Sequence, residues 1–380
     1  MRVVRIADES SLEQLQPEWN ALSSGIPFRA WQWLHTWWRH YRANRDLYVL
    51  EVRGDGGALV GLAPWFIENQ KVAGRVVQFL GTGDVCSDHL SLLVDREQEN
   101  EVVEAVASWL ERHARAKGEN QWDSLKLDGV TDRDTAVRNL AARLRKAGCA
   151  VHCRTIMNGW RLPLPGRWEE LTARLGKSTR RNSKRHAKRL RQDPRVSVDR
   201  ATDPERFQQA LATFMDLHQR RRNSLGQAGC FNSESFTSFI QEVSWLMSRA
   251  DQLDLPVLKI DGRPAACQLN LVHRSATYHY QAGMDPDLLK QSPGGLLMTA
   301  LLQEAVAKRQ SHYDFLRGDE SYKANWHAEP YHVLEFRVAA NRLGPQLVHR
   351  AWQSVAMTKK WLKNGTHPGG KRGRSSFLRR

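Results

Sequence analysis

The sequence predicts a mixed α/β fold of two tandem domains of one kind, with a basic helix between them and a disordered basic C-terminal tail. Three observations predict it. The chain has 380 residues, 41% of them hydrophobic, enough for two cores and too many for a wholly disordered chain. Helical and strand-like patterns alternate, and the order helices, antiparallel strands, helix, strand, helix occurs before residue 160 and again after it, without a residue-level repeat. The net charge of +16 is one-sided: residues 1–160 carry 20 basic against 21 acidic groups, the rest 37 against 20. The expected division is 1–160, 161–345, and 346–380 as helix and tail.

In the first part, residues 10–22 and 30–43 have helical periodicity, and the second of these holds Trp31, Trp33, Trp37 and Trp38 for packing. Tyr48 to Val52 and Ala58 to Ile67 read as strands across the glycine-rich turn at 53–57, followed by strands at Val76 to Leu80 and Leu90 to Val94. Residues 100–116 place Val102, Val103, Val106 and Leu110 on one helical face; Ser124 to Leu127 is a strand, 134–147 a helix ending at Gly148, and Ala150 to Ile156 a strand. After the basic helix come a strand at 195–199, helices at 204–222 and 233–249, and strands at 256–260, 265–272 and 275–283. A helix at 294–309, a strand at Tyr313 to Leu316, a short helix at 322–326 and a strand at 334–339 complete the order.

The surplus charge sits in two segments. Residues 174–195 carry ten cations and one acid, Asp193, within a helix expected from Trp168 to Gln192; its basic part is charged all round, a face for water or a polyanion. Residues 355–380 carry eight cations and no acid, and their Gly, Ser and charge content predicts disorder and contact with an anionic membrane surface or RNA. No run approaches the roughly 18 apolar residues of a membrane helix, and the start Met1-Arg2-Val3-Val4-Arg5 lacks a signal core. A cytoplasmic protein, peripheral at the inner membrane surface, is expected. Five scattered cysteines form neither a disulfide framework nor a zinc pattern.

The chemistry-bearing stretch is the strand Tyr278 to Gly283, the loop Ser292-Pro293-Gly294-Gly295-Leu296, a helix, and Tyr313-Asp314-Phe315. A strand, a loop of small residues and a helix N-terminus aim free backbone N–H groups at one spot, which suits a phosphate; an ordinary helix start capped by Ser292 is the bland alternative. His218 and Arg221 share a helix face at i and i+3, and Asp88 and His89 follow Gly81-Thr82-Gly83.

The continuation, Tyr313-Asp314-Phe315-Leu316-Arg317-Gly318-Asp319-Glu320 and Tyr322-Lys323-x-x-Trp326 after Ser292-Pro293-Gly294-Gly295, resembles the Gcn5-related N-acetyltransferase (GNAT) superfamily. Within it the chain is similar to the cellulose-biosynthesis-associated (CelD-like) and Fem-like group, also through Leu217-His218-x-x-Arg221 with Gly226 and Gly229, and Phe79-Leu80-Gly81-Thr82-Gly83 with Asp88. The resemblance spans most of residues 45–340. It implies two tandem acyltransferase folds and an acyl-CoA such as acetyl-CoA as co-substrate, with no tightly bound cofactor and no metal. Ser292, Gly294, Gly295 and Leu296 are then the donor-loop residues, although Ser-Pro-Gly-Gly replaces the superfamily's more basic loop. An amine attacking a thioester needs deprotonation, an oxyanion donor and a proton for the thiolate. Asp319 and Glu320 are candidate bases, Tyr322 the candidate acid, Lys323 or Arg317 an anion holder, and His218, Arg221, Asp314, Arg317 and Asp88 candidate substrate contacts. The acceptor expected is an amine or hydroxyl of a cell-envelope or polysaccharide precursor. The alternatives are a Fem-like aminoacyl-tRNA-dependent transferase, in which the basic helix meets tRNA, and a non-catalytic protein that binds polyanions or a membrane surface.

Overall fold

The computed structural model describes the backbone of residues 1–365 and the side chains of residues 1–355. The expected disordered tail beyond them lies outside the described residues. The first half contains β1 (Arg2–Ile6), α1 (Glu9–Glu13), α2 (Gln16–Leu22), α3 (Trp31–Tyr41), β2 (Arg45–Leu47), β3 (Val49–Arg53), β4 (Leu59–Ala63), β5 (Trp65–Gln70) and β6 (Gly74–Phe79). It continues with β7 (Leu93–Val94), α4 (Glu99–Arg115), β8 (Ser124–Thr131), α5 (Thr135–Lys146) and β9 (Ala150–Pro163). The second half runs α6 (Trp168–Arg174), α7 (Lys177–Gln192), β10 (Val196–Asp199), α8 (Pro204–Ser224), α9 (Glu234–Arg249), β11 (Leu253–Asp254), β12 (Val257–Ile260) and β13 (Arg263–His273). Then come β14 (Ala276–Met284), α10 (Pro293–Ala307), β15 (His312–Arg317), α11 (Ser321–Asn325), β16 (Glu329–Ala339) and α12 (Leu343–Gly365).

The mixed α/β, two-part architecture is the one expected, and the elements recur in the same order in both halves. The large sheet has the order β10-β12-β13-β14-β15-β9-β16-β8-β6-β5-β2, with β11 on β13; β1, β3, β4 and β7 form a smaller sheet. The halves trade strands at the centre. β9 belongs to the first half yet pairs with β15 of the second, while β16 comes from the second and pairs with β8 of the first. β9 and β16 also pair with each other from Glu329↔Arg161 to Ala339↔Ala150. Residue 160 lies inside β9, so the chain passes from one half to the other within a strand.

Some elements differ from the sequence pattern: the helix expected at 10–22 is α1 and α2, and the strand expected from Ala58 to Ile67 is β4 and β5, in different sheets. The single helix expected from Trp168 to Gln192 is two, because Leu175 turns extended (ψ 147°) to bury its side chain and Gly176 starts α7. β9 and β16 are longer than their apolar patterns, because each supplies the other's hydrogen bonds through polar stretches such as Arg154 to Asn158. The Trp-rich α3 packs the halves together: Trp33 is fully buried, its ring lies 5.1 Å from Phe239 and 5.3 Å from Tyr280, and its Nε1 donates to Ser87 Oγ at 2.8 Å. One core spreads across both halves on this side of the sheet, and a second, with Leu296, Leu297, Leu302, Tyr313 and Phe315, lies under α10.

Candidate active site

The parallel strands β14 and β15 pair at only three positions, Ala276↔His312, Thr277↔Tyr313 and Tyr278↔Asp314. They then part. Leu316 takes a left-handed φ of 56° and bulges β15 toward β9, while β14 stays on β13 as far as Met284. The split leaves main-chain donors and acceptors of the two strands without partners in each other, an opening between them. At its mouth α10 begins at Ser292 (φ 56°) with no side-chain cap, so its first-turn N–H groups and the positive end of its dipole are free for an anion. The Ser292 hydroxyl is therefore not the cap that the bland reading required.

The small residues of the loop serve a second purpose. A Cβ on Gly294 would come within 2.5 Å of Met284 Sδ, and one on Gly295 within 2.6 Å of the His186 ring. Their missing side chains admit neighbouring protein groups as well as leaving N–H groups open. Leu296 is fully buried in the α10 core and its N–H is used by the Ser292 carbonyl (3.0 Å), which takes it out of the anion-facing set.

His186 belongs to α7, and here the expectation of a helix charged all round is corrected. Ser183, His186 and Ala187, at i, i+3 and i+4, bury a narrow face against α10, and Arg189 donates to the Gln291 carbonyl and side chain. The remaining faces expose Lys177, Arg180, Arg181, Lys184, Arg185, Lys188 and Arg191, none of which has an ion pair among the described residues. Seven cations of α7 thus stay in solvent without ion pairs among the described residues.

Opposite α10, the loop after β15 carries Arg317, Gly318, Asp319 and Glu320. Lys323 is almost fully buried: its Nζ donates to the carbonyls of Leu316 (3.2 Å), Arg317 (2.8 Å) and Gly318 (3.1 Å) and pairs with Glu320 (2.8 Å). It holds the loop's shape and has no hydrogen left for a ligand. Asp319 is exposed and its Oδ1 accepts from Asn158 Nδ2 (3.0 Å) and Trp160 Nε1 (3.2 Å). Burial works to raise the Glu320 carboxyl, but its bond to Lys323 prevails and leaves it below the usual range. Burial and the nearby Glu320 push the Tyr322 phenol above its ordinary value, and its ring rests on Phe315 (5.7 Å). Asp319, Glu320 and Tyr322 thus share one short stretch of loop and α11 beyond the strand split.

The remaining predicted contacts divide. Asp88 and Arg317 meet as a clamp between the halves: Arg317 Nε donates to Asp88 Oδ1 (2.8 Å), its N–H to Oδ2 (3.3 Å), and Nη2 to the Ser87 carbonyl (2.7 Å). Asp314 is wholly buried and accepts from Tyr331 Oη (3.0 Å), the Leu316 N–H (2.9 Å) and Arg161 (3.2 Å), with His89 Nε2 at 3.2 Å. Its acceptor capacity is spent within the protein. His218 is buried beside Cys230 Sγ (3.9 Å) and burial lowers it to about 4, so it is neutral. Arg221 lies elsewhere, half exposed and near Ser224 Oγ (3.5 Å). The cation sharing a 250 Å³ cavity with His218 is Arg222, at i+4 rather than i+3. Sequence reasoning also passed over Arg161, Tyr331, Asn158 and Trp160, whose only advance signal was polar or aromatic character in the strands that cross the middle of the sheet.

The first half has the same strand split after Gln78↔Lys126, but it is filled. The segment after Gly83 runs into it, the Leu90 N–H donates to the Gly129 carbonyl (3.0 Å), and Gly129 (φ 72°) has no room for a Cβ against the Ser87 carbonyl. The helix that follows starts with Glu99 and Glu101, which disfavour an anion.

The comparisons agree with this geometry. Residues 177–324 match the family model of the acetyltransferase (GNAT) domain. In fold, the chain is similar to the crystal structure of FemX, with TM-score 0.64, 13% identity, and 92% of this chain and 99% of that chain covered. It is also similar to L-PGS from Bacillus licheniformis (TM-score 0.51, 10% identity, 90% and 95% covered). The C-terminal domain of a putative lysylphosphatidylglycerol synthetase from Agrobacterium fabrum gives TM-score 0.50 at 13% identity, with 90% and 97% covered. None of the curated proteins matches the chain in sequence. Residues 177–324 thus match a GNAT domain model, and over nearly the whole chain the fold is similar to that of FemX.

Proposed function

We propose that this protein is an acyltransferase that takes an acyl group from an acyl-CoA, such as acetyl-CoA, and passes it to an amine or hydroxyl of a cell-envelope or polysaccharide precursor. The observation that carries the reading is the parting of β14 and β15 beside the uncapped N-terminus of α10. Donor phosphates would lie on the free N–H groups of Gly294 and Gly295, with the thioester between the strands. The amine nitrogen forms its bond to the thioester carbon as the carbon–sulfur bond breaks. Asp319 orients the amine and receives its proton, and Tyr322, held protonated, returns one to the thiolate. Unpaired N–H groups of β14 meet the oxyanion. Lys323 acts as a positioning residue through the three carbonyls it binds. In this reading residues 161–345 carry the donor site and residues 1–160 complete the acceptor side.

A second reading has its own observation. Seven exposed cations along α7, without ion pairs among the described residues, suit a donor with a long phosphate backbone, such as an aminoacyl-tRNA. Among the described residues no helix is long and apolar enough to cross a membrane. The basic C-terminal sequence favours contact with an anionic membrane surface.

The test is titration calorimetry of the full chain with coenzyme A, acetyl-CoA, a long-chain acyl-CoA and unacylated tRNA, followed by thiol release with amine acceptors. Saturable coenzyme A binding, with thiol release slowed about a hundredfold in Asp319→Asn and Tyr322→Phe, supports the first reading. Salt-sensitive tRNA binding without coenzyme A binding replaces it with the second. Neither ligand binding removes both.

A further inference from the structure

A second cavity of about 490 Å³ opens on the other side of the 87–90 segment, lined by Arg29, Arg96, Arg133, Arg161, His89 and the first residues of α5. Consecutive residues of this segment face different sites, since Asp88 holds Arg317 of the acyl-site loop while the His89 carbonyl accepts from Arg29. The cavity has more cations than the protein neutralises. Arg29 is half-buried and shares Asp134 (3.2 Å) with the Val137 N–H that the same carboxylate caps. Burial depresses its guanidinium, and Arg96 adds repulsion. Arg161 uses its Nε and Nη2 on Asp314. The other lining carboxylate, Glu99, accepts from Thr135 Oγ1 (2.9 Å). Arg96 and Arg133 are exposed and have no ion pair among the described residues. α5 has twelve residues, and Thr135 and Ala136 of its first turn line the same cavity beside these arginines, with the Asp134 carboxylate capping the Val137 N–H.

We infer that this cavity is an anion site for a small phosphorylated molecule, separate from the acyl-donor cleft. A phosphate would be met by the paired donors of Arg133 or Arg96 and by the α5 N-terminus, while the hydroxyls of Ser24, Ser91 and Thr131 offer partners for a polar body. The volume exceeds what a bare phosphate fills and falls in the range of small-molecule pockets. The inference does not depend on the acyl-transfer reading, because none of these groups lines the β14–β15 split.

The test is calorimetry of the full chain with inorganic phosphate and with a hexose monophosphate, on the unaltered protein, on Arg96→Ala/Arg133→Ala and, as control, on Lys184→Ala/Arg185→Ala in α7. All four arginines and lysines changed are exposed, so folding is retained. Saturable hexose phosphate binding, tighter than that of phosphate and weakened at least about tenfold only in the first variant, is expected. No saturable binding, or binding that the first variant leaves unchanged, overturns the site. Equal affinity for both probes, lost in the first variant, overturns the organic ligand and assigns the cavity to free phosphate.

Discussion

Lys323 shows how far burial changes the meaning of a residue. As a cation beside Asp319 and Glu320 it reads as an anion holder; folded, its ammonium is spent on three carbonyls and one carboxylate. Lys323→Met strands those carbonyls in a dry loop and is expected to cost about 2–4 kcal/mol in chemical denaturation. Tyr322→Phe, at a position 37% exposed, should change stability by less than about 0.5 kcal/mol while affecting thiol release. Equal stability losses for the two would sink the distinction between loop support and chemistry. Asp314 gives a pH test. Burial opposes its charge, but His89, Arg161 and the Leu316 N–H outweigh that and keep its carboxyl below the ordinary 3.8. A depressed folded value contributes stability above the unfolded value, lost as pH falls through the folded one. Asp314→Asn should therefore be less stable at pH 7 and show a shallower loss below pH 3.8, read from unfolding midpoints against pH.

At the scale of elements, the contact between α7 and α10 depends on a missing side chain. Alanine at Gly295 gains helix propensity of about 1 kcal/mol but drives its Cβ to within 2.6 Å of the buried His186 ring. Gly295→Ala alone should destabilise by about 1–2 kcal/mol, whereas in a His186→Ala background the same change should be neutral or stabilising. A double-mutant cycle without coupling would mean that the two helices do not meet there. Helix and strand positions were largely legible, because apolar periods of 3.6 and 2 persist through most elements. β9 and β16 were legible only in part. Their polar stretches are held by each other, and pairing across 170 or so residues leaves no local pattern.

For the whole molecule, three sheltered histidines set the response to acid. Burial lowers His218 to about 4, His279 to about 3 and His312 to about 4. The unfolded chain binds their protons near pH 6.5 and the folded one does not, so stability falls as pH drops from 6.5 toward 4. The slope contributed is on the order of 1 kcal/mol per pH unit for each histidine, well above the carboxylate range. A flat stability profile between pH 6.5 and 5 would show that these rings charge in the folded state. The exchanged strands lead to a second expectation. A chain ending at residue 160 lacks β16, leaving β8 and β9 with open edges, and should be insoluble or unfolded by circular dichroism. A folded, monomeric 1–160 fragment would contradict that dependence.

The sequence by itself determined the order of elements, the two-part plan, the cationic segments and the stretch from Ser292 to Trp326 where the acyl chemistry is proposed. All of these are local: periodicity, turn residues and charge are written in neighbouring positions. The tertiary structure alone decided which residues of that stretch are spent. Lys323 and Asp314 are consumed by the fold, Asp88 and Arg317 by each other, and Leu296 by the core, while Asp319 and Tyr322 stay exposed. It also decided that the second strand split is open and the first closed. That outcome depends on where the 83–90 segment lands on Gly129, a contact between residues some forty positions apart, and no local pattern encodes such a contact.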